Sequence, residues 1–216
     1  SYFEPLLTFF NEYSVYHRTK ATLKFNQDEY ELGYKKLKEM GIDLRQDWYV
    51  CIFARDSQYL NTVYPKGNWS YHDYRNSDIN AFKKVSEYIT DLGGNVVRIG
   101  SNVNKPFEIK NHRVIDYASN YRSDFMDIFV VANCKFLMGN TSGICDVTMA
   151  FDVPYLGLNI APIGNVPHGR NGLFIPKKIK SRKTGELILI SKIILESRTR
   201  NVKFCSSDWW YEQGYE

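Results

Sequence analysis

The sequence predicts an α/β fold: a Rossmann-like, mostly parallel sheet with helices on both of its faces. The first observation is a nearly continuous apolar run at 48–54, which is typical of a strand buried on both sides. The second is the alternation of such runs with helical patterns along the chain. This alternation favours a parallel sheet, because consecutive parallel strands are joined by right-handed helical crossovers.

Composition allows one large domain with a packed core, since 44% of the 216 residues are apolar and 15% are aromatic. The 28 Lys and Arg residues slightly outnumber the 24 Asp and Glu residues. That balance suits an anionic ligand and does not indicate general nucleic-acid binding. No run of 18 apolar residues is present, so no membrane span is expected. The chain starts at Ser1 without a Met or a signal peptide, and we expect it to be processed or cut from a longer one.

The four cysteines are Cys51, Cys134, Cys145 and Cys205. They form no CxxC pair and have no histidine at ligand spacing, so a structural zinc site is not expected. Cys51 and Cys134 lie in apolar runs and are predicted to be buried thiols. This cysteine usage favours a reduced, cytoplasmic setting.

Residues 1–45 are predicted to form an irregular and helical segment. A short strand is expected at 22–25, and a helix at 28–40, where the apolar residues share one face and Gly41 ends the pattern.

Residues 46–196 contain the predicted sheet. The strand at 48–54 is followed by a long polar and aromatic loop at 58–77, a length that is typical of functional loops. Ser77 is then expected to cap a helix, and a strand is predicted at 95–100.

The second half of this domain continues the alternation, and residues 197–216 are predicted to be a tail. The predicted elements are a short strand at 114–117, a helix at 124–133 capped by Ser123, a strand at 135–138, a helix at 144–151, a strand at 153–158, a basic loop at 176–183 and a helix at 185–196.

Ligands of parallel sheets bind at the carboxyl ends of the strands. Four polar segments follow predicted strands directly, so they are expected to converge on one crevice. They are Arg55-Asp56-Ser57, Arg98-Ile99-Gly100, Asp116-Tyr117 and the turn from Gly139 through Asn140, Thr141 and Ser142 to Gly143.

The turn at 139–143 connects a short apolar strand to an apolar helical run. This order places Thr141, Ser142 and several backbone N–H groups at a helix N-terminus, which attracts anions. Two interpretations stay open: a phosphate-binding turn, and a structural loop in which Ser142 caps the helix.

Two arginines follow or end predicted strands. Arg55 is suited to bidentate contact with phosphate, or it pairs with its neighbour Asp56 or with another nearby carboxylate. Arg98 lies in an apolar strand, where a charge needs a partner. It therefore pairs internally, with Asp116 or Asp124 as candidates, or it faces a ligand.

Other polar residues are weaker candidates. Arg75 precedes a helix and is either a solvated arginine or a ligand contact. His72 is the histidine that we would test as an acid or base, because it lies in the aromatic loop. A catalytic base is sought among Asp116, Asp124 and Asp127, although the last two also suit the first turn of a helix.

Absent motifs narrow the class of protein. The sequence has no GxxxxGK[ST], no GxGxxG after the first strand and no GxSxG. It also has no DxD triplet and no HExxH, so no metal site is expected. An anion site made of arginines and a helix N-terminus is what the pattern favours.

Several blocks resemble a family of bacterial glycosyltransferases over roughly residues 28–196. In order they are FARDS at 53–57, YRNSD at 74–78, VRIG at 97–100, VIDYA at 114–118, RSDFMD at 122–127, GNTSG at 139–143, IPK at 175–177 and SRKTG at 181–185. That family is more distantly similar to GT-B fucosyltransferases that use GDP-sugars. There the Arg of an HxR block holds the diphosphate, and Arg55 matches that position, whereas Phe53 stands in place of the His. Thr141 and Ser142 match a Gly-Thr-Ser-Ser-like turn.

The resemblance implies the donor-binding half of a GT-B enzyme that transfers a sugar from a nucleotide-sugar to a cell-surface polysaccharide or glycolipid, without a metal or another cofactor. The alternatives are a non-catalytic module that binds nucleotide-sugars or glycans, and a sugar-nucleotide epimerase or phosphorylase of similar fold. The expected partners are the donor and a glycan or lipid-linked acceptor, with peripheral contact at the inner membrane through the basic loop. Arg55 and Arg98 are the expected catalytic residues, and the expected substrate-binding residues are Asp56, Ser57, His72, Arg75, Gly100, Asp116, Asn140, Thr141, Ser142 and Gly143.

Overall fold

A computed structural model of the chain describes residues 19–21, 23–161, 172–189 and 191–192. In chain order the elements are α1 (Gln27–Glu39), β1 (Tyr49–Phe53), α2 (Gln58–Val63), two 3₁₀ helices (Ser70–Arg75 and Ile79–Phe82), α3 (Lys83–Asp91), β2 (Asn95–Arg98), β3 (Val114–Ile115), α4 (Tyr117–Asn120), α5 (Asp124–Ala132), β4 (Leu137–Gly139), α6 (Ile144–Ala150), β5 (Tyr155–Ile160) and β6 (Gly172–Pro176).

The six strands form one sheet in the order β3-β2-β1-β4-β5-β6, and every neighbouring pair is parallel. The chain moves from β1 outward to β2 and β3, then returns to β4 on the other side of β1. The strand order therefore reverses between β1 and β4, which is where sheets of this kind form a crevice. The predicted α/β, Rossmann-like fold is confirmed.

Side chains of β1 alternate between two hydrophobic clusters, one on each face of the sheet. Tyr49 and Cys51 belong to the cluster that contains Leu37 of α1 and Phe129 of α5. Val50 and Ile52 of the same strand belong to the second cluster, which also holds Ile79, Phe82 and Ile89 from the 3₁₀ helix and α3. Burial on both faces explains the continuous apolar run, and it confirms the two helical layers.

Local capping sets the start of two helices. Asn26 caps α1 in a reciprocal capping box with Glu29, and Ser123 accepts a hydrogen bond from the Met126 N–H at the start of α5, as predicted. The next predicted cap, Ser77, is wrong by one residue. Asp78 is the cap instead, because the segment begins as a 3₁₀ turn before it becomes α3.

The structure corrects four other predictions. Residues 23–26 form no strand, and Phe25 packs its ring on Phe129 and Phe151; residue 22 lies outside the described part. The predicted loop at 58–77 contains α2 and a 3₁₀ helix, whose short polar sequences show no apolar period.

The carboxyl-terminal part differs as well. β6 was not predicted, because its position at the edge of the sheet leaves its side chains largely exposed. Residues 185–189 are not helical, and Lys180 forms an antiparallel bridge with Leu187 instead. Residues 191–192 are helical, whereas residues 190 and 193–196 of the predicted helix lie outside the described residues, as does the tail at 197–216.

Two further predictions concern cysteines and domain boundaries. Cys51 and Cys134 are buried free thiols, as predicted. The division at residue 45 stays a prediction, although α1 packs on α5 within the sheet domain's core. Within the described residues no helix combines the length and the apolar character that crossing a membrane requires.

Gly139 tests how closely β1 and β4 approach. A Cβ added at Gly139 would collide with the carbonyl oxygen of Phe53, so we expect Gly139→Ala to lower the free energy of unfolding by about 1–3 kcal/mol. The control is Gly143→Ala, where a Cβ meets nothing within 4 Å and φ is −55°. Urea unfolding of both variants checks this, and equal midpoints would contradict the packing described here.

Candidate functional site

A cleft of about 340 Å³ opens at the carboxyl ends of β1 and β2 and at the start of α6. It lies at the crevice where the strand order reverses. The residues that line it are Phe53, Ala54, Arg55, Asp56, Tyr59, Leu60, Ile99, Gly100, Ser101, Val103, Arg122, Asp127, Ser142, Gly143 and Ile144. The cleft therefore brings together Arg55, Asp56, Gly100, Ser142 and Gly143 from the predicted site residues.

Arg55 enters the cleft from the end of β1, and only 9% of the residue is exposed. Its Nη1 donates to the Asn76 side-chain oxygen and, at 3.3 Å, to the His72 carbonyl oxygen. Among the described residues, the ion pairs do not include Arg55. Its guanidinium charge therefore lies in the cleft wall with neutral hydrogen-bond partners.

The alternative pairing of Arg55 with Asp56 is not formed. The two carboxylate oxygens of Asp56 accept hydrogen bonds from the backbone N–H groups of Gln58 and Asn104, at 2.9 and 3.0 Å. Asp56 thus joins the chain after β1 to the chain after β2. Burial lowers the pKa of Arg55, and the nearby charge of Arg75 lowers it further. The nearby charges of Asp73 and Asp56 act in the opposite direction and raise the pKa of Arg55.

Arg75 adds a second positive charge beside the first. Its Nη2 donates to the Thr141 carbonyl oxygen at 3.2 Å, and its buried Nε has no hydrogen-bond partner. The expectation of a solvated arginine is therefore wrong, because Arg75 is half-buried and connects the 3₁₀ helix to the turn before α6.

Lys177 anchors the same 3₁₀ helix from beyond β6. Its Nζ donates to the carbonyl oxygens of Tyr74 and Asn76, the second at 3.1 Å. Burial lowers the pKa of Lys177. Since Asn76 in turn accepts from Arg55, Lys177 helps to fix the arginine's partner. Lys177 was predicted to be part of a basic surface loop, and the structure places it half-buried instead.

Asn140 is buried, with 1% exposure, and three hydrogen bonds hold its side chain. The Asn140 oxygen accepts from the Arg55 backbone N–H at 3.1 Å and from the Ser77 hydroxyl, and its nitrogen donates to the Leu158 carbonyl. One amide hydrogen keeps capacity for a further acceptor, so a substrate contact from Asn140 stays a prediction. Its amide ties the ends of β1, β4 and β5 together.

The residues of the turn at 139–143 differ in whether they are buried or line the cleft. Thr141 is buried, with 5% exposure, whereas Ser142 and Gly143 line the cleft. The predicted cap by Ser142 is wrong: Gly143 is the cap residue of α6, and it makes no side-chain capping bond. Ser142 and the backbone of Gly143 are therefore the parts of this turn that a ligand in the cleft can contact.

Arg98 forms a buried ion pair with Asp116. Arg98 Nη1 lies 2.9 Å from Asp116 Oδ1, with exposures of 1% and 8%, and Asp116 Oδ2 accepts from the Phe107 N–H. Of the two predicted partners of Arg98, the structure therefore shows Asp116, and Asp124 takes no part in this ion pair. Neither residue is among those that line this cleft, and the catalytic role of Arg98 and the substrate contact from Asp116 stay predictions.

Two remaining candidates lie away from the cleft lining. The His72 ring stacks on Trp69 at 6.5 Å, and its backbone carbonyl accepts from Arg55. Ser57 precedes α2 and makes no capping bond. The geometry does not place the His72 ring as an acid or base in the cleft.

The cleft also contains residues that the sequence did not identify as binding residues. Tyr59 and Leu60 come from α2, inside the segment that was predicted to be a loop, and Arg122 and Asp127 come from the start of α5. Asp127 was named as one of three candidates for a catalytic base and also as a residue that suits a helix dipole. Only the long-range packing of α5 against β1 and α6 reveals that it also borders the cleft.

The comparisons with known proteins concern the fold. The chain is similar to the crystal structure of the glycosyl transferase family 9 protein from Veillonella parvula DSM 2008, with a TM-score of 0.55 and 13% sequence identity. The match covers 90% of this chain and 52% of that chain, so this chain spans about half the length of that protein. No protein-family model matches the sequence, and no curated protein matches it.

The Arg98–Asp116 pair allows a test of its structural role. Arg98→Met leaves the buried Asp116 carboxylate without its cation, and we expect the free energy of unfolding to fall by about 3–5 kcal/mol. Adding Asp116→Leu to that variant should recover part of the loss, since no buried charge is then left unpaired. Chemical denaturation of both single variants and the double variant checks this. Strictly additive losses would show that the two side chains do not act as a pair.

Proposed function

We propose that the chain is the donor-binding part of a GT-B-type glycosyltransferase that takes its sugar from a nucleotide-sugar. The observation that carries the proposal is the Arg55 guanidinium, which borders the cleft with neutral partners only. A guanidinium of this kind favours an anionic ligand, and phosphate is the anion whose geometry it fits best. The similarity of the fold to a glycosyltransferase structure supports the same proposal.

In the proposed reaction the bond between the anomeric carbon and the diphosphate oxygen breaks, and an acceptor hydroxyl oxygen forms the new bond to that carbon. The bonding electrons leave with the diphosphate, and the hydroxyl proton passes to a base or to water. Negative charge grows on the diphosphate as the bond breaks. Arg55 stabilises that charge, assisted by the nearby charge of Arg75 and by Ser142 and the Gly143 N–H.

The proposed donor site relies on these cations, and the proposal includes no metal. Within the part of the chain that the structure describes, no three His, Cys, Asp or Glu side chains form a metal-binding group. Metal independence is therefore a proposal that an assay with a chelator tests directly.

The proposed acceptor is a cell-surface polysaccharide or a glycolipid. Exposed basic residues follow β6, namely Lys178, Lys180, Arg182 and Lys183, and cations of this kind are attracted to an anionic membrane surface. We therefore propose a cytoplasmic protein with peripheral contact at the inner membrane.

A second candidate function is a module that binds nucleotide-sugars without transferring the sugar. It is favoured by one observation: Phe53 stands where the resembled fucosyltransferases have the His of the HxR block. The two candidates share the donor site and differ in turnover. Binding of a nucleotide-sugar without hydrolysis or transfer, with or without an acceptor, would favour the second.

The test of the donor site is calorimetric titration with UDP, GDP, CMP and dTDP. We expect one nucleotide to bind, and Arg55→Ala to weaken that binding by about ten- to one-hundredfold, since a hydrogen bond to a charged group is lost. Bound nucleotide should also raise the thermal midpoint of the wild type.

The matched control is Arg113→Ala. Arg113 lies at the amino end of β3, an edge strand of the sheet, whereas Arg55 follows the carboxyl end of β1, and Arg113 donates to the Gly93 carbonyl at 3.1 Å. The variant Arg113→Ala loses the same charge as Arg55→Ala, but away from the cleft. We therefore expect its affinity for the nucleotide to stay near that of the wild type. Equal losses in the two variants, or no binding of any nucleotide by the wild type, would contradict the proposed donor site.

A further inference from the structure

Residues 57–69, named here the α2 segment, connect β1 to the first 3₁₀ helix and lie on the surface of the protein. Each of the six residues of α2 is at least partly exposed, and residues 61–68 are all exposed. The α2 segment adds no buried side chain to either hydrophobic cluster. The core therefore does not explain which side chains this segment carries.

The exposed side chains of the α2 segment include large apolar ones. Tyr59, Val63 and Tyr64 are 45%, 41% and 55% exposed. The Tyr64 ring contacts the Trp69 ring, with centroids 6.0 Å apart and planes inclined by 57°. Tyr59 also lines the cleft, so this aromatic surface begins at the candidate site and continues beyond the cleft lining. A contiguous exposed apolar surface of this kind indicates a binding surface.

The Trp69 ring is held in a fixed position within this surface. Its Nε1 donates to the Tyr64 carbonyl oxygen at 2.9 Å. The ring lies against Gly67, where an added Cβ would collide with the indole. A ring that is already fixed loses little conformational entropy when a ligand binds, and this favours a specific contact.

Charge is nearly absent from the α2 segment. Residues 57–65 contain no Asp, Glu, Lys or Arg, and Lys66 is the one charged residue of the segment, whereas 24% of the whole chain is charged. Surface helices normally carry charged side chains on the face that meets solvent. The exposed polar groups here are the amides and the hydroxyl of Asn61, Thr62 and Asn68. Aromatic rings with neutral donors and acceptors suit a partner that is polar but uncharged.

The size of the surface limits the kind of partner. The helix α2 has six residues and is therefore about 9 Å long. A specific protein interface buries roughly 800 Å² on each partner, which is far more than a helix of this length offers. A sugar ring is similar in size to one aromatic ring. It presents C–H groups to the face of that ring and hydroxyl groups to neighbouring amides, so a short sugar chain fits this surface.

We propose that the α2 segment binds uncharged sugar residues of the acceptor, with the rings of Tyr59, Tyr64 and Trp69 as stacking surfaces. This inference rests on the proposed function, and it adds the place and the charge of the acceptor. Because Tyr59 borders the cleft, the end of the sugar chain at Tyr59 lies nearest to the donor. Arg55 then attracts the anionic donor, while the uncharged α2 segment selects the acceptor.

The experiment is an NMR titration of the whole chain with four uncharged oligosaccharides: maltotetraose, cellotetraose, mannotetraose and N-acetylchitotetraose. Acidic tetragalacturonate is the charged comparison. We expect at least one uncharged oligosaccharide to shift the amide resonances of residues 57–69 and the indole N–H resonance of Trp69. Tetragalacturonate should leave these resonances unshifted, because the segment offers one cation, Lys66.

The variant is Tyr64→Ala, and its matched control is Tyr88→Ala. Tyr88 lies in α3, is 63% exposed and is not among the residues that line the cleft, so both changes remove one exposed tyrosine ring. We expect Tyr64→Ala to weaken binding of the oligosaccharide about three- to tenfold, since one stacking surface is lost. Tyr88→Ala should bind it as the wild type does. Both variants should bind pyrophosphate like the wild type, and the wild-type titrations stand without either variant.

The inference is overturned if none of the four uncharged oligosaccharides shifts residues 57–69, if tetragalacturonate shifts them equally, or if Tyr88→Ala weakens binding as much as Tyr64→Ala. Shifts at 57–69 that depend on protein concentration alone would also overturn it, because a second copy of the chain would then cover this surface. Pyrophosphate binding without oligosaccharide binding keeps the proposed donor site and removes this inference. The reverse result keeps the sugar-binding surface and removes the donor site.

Discussion

The positive charge of Arg55 is the constraint around which the candidate site is built. A guanidinium with 9% exposure loses most of its hydration, and here the neutral oxygens of His72 and Asn76 replace that water. Neutral acceptors compensate a buried charge less well than a carboxylate does. The strong α/β scaffold tolerates this local cost because β1, which presents Arg55, is buried on both faces. In the proposed function, this buried charge with neutral hydrogen-bond partners is what attracts an anion to the cleft.

The neighbouring polar residues maintain that arrangement. Asn140 fixes the backbone of Arg55, and Asn76 contacts its guanidinium. Lys177 binds the carbonyl oxygens of the segment that carries Asn76. These residues come from distant parts of the chain, so the position of one guanidinium depends on the packing of β1, β4 and β6. Several residues that look like ligand contacts in the sequence are therefore supports for one residue that borders the cleft.

The fold could be predicted where sequence patterns are long and local. The strand β1, the helices α1 and α5 and the two helical layers follow from apolar periodicity and from the caps at Asn26 and Ser123. The helix α2 and the 3₁₀ helix at Ser70–Arg75 carry no such period, and β6 exposes its side chains at the sheet edge. Those elements are specified by tertiary contacts rather than by their own sequences.

The position of the candidate site in the fold could be predicted from the sequence, but only some of the residues that line it could. Strand ends located the crevice correctly, because parallel strands bring their carboxyl ends together. The partners of each polar side chain are separated by up to 85 residues, as for Arg55 and Asn140, and spacing along the chain carries no information on such pairs. For that reason the sequence left Asp116 and Asp124 as alternative partners of Arg98, and it did not show that Asn140 bonds to the ends of β1 and β5 or that Asp127 borders the cleft.

The central claim is that an anion binds in the cleft at Arg55, and amide chemical-shift mapping of the 25.2 kDa chain with pyrophosphate tests it most directly. The account predicts that the largest shifts fall at residues 54–57, 99–103 and 142–144, around the cleft. Shifts confined to the exposed basic residues at 178–183, with none at Arg55 or Ser142, would contradict it.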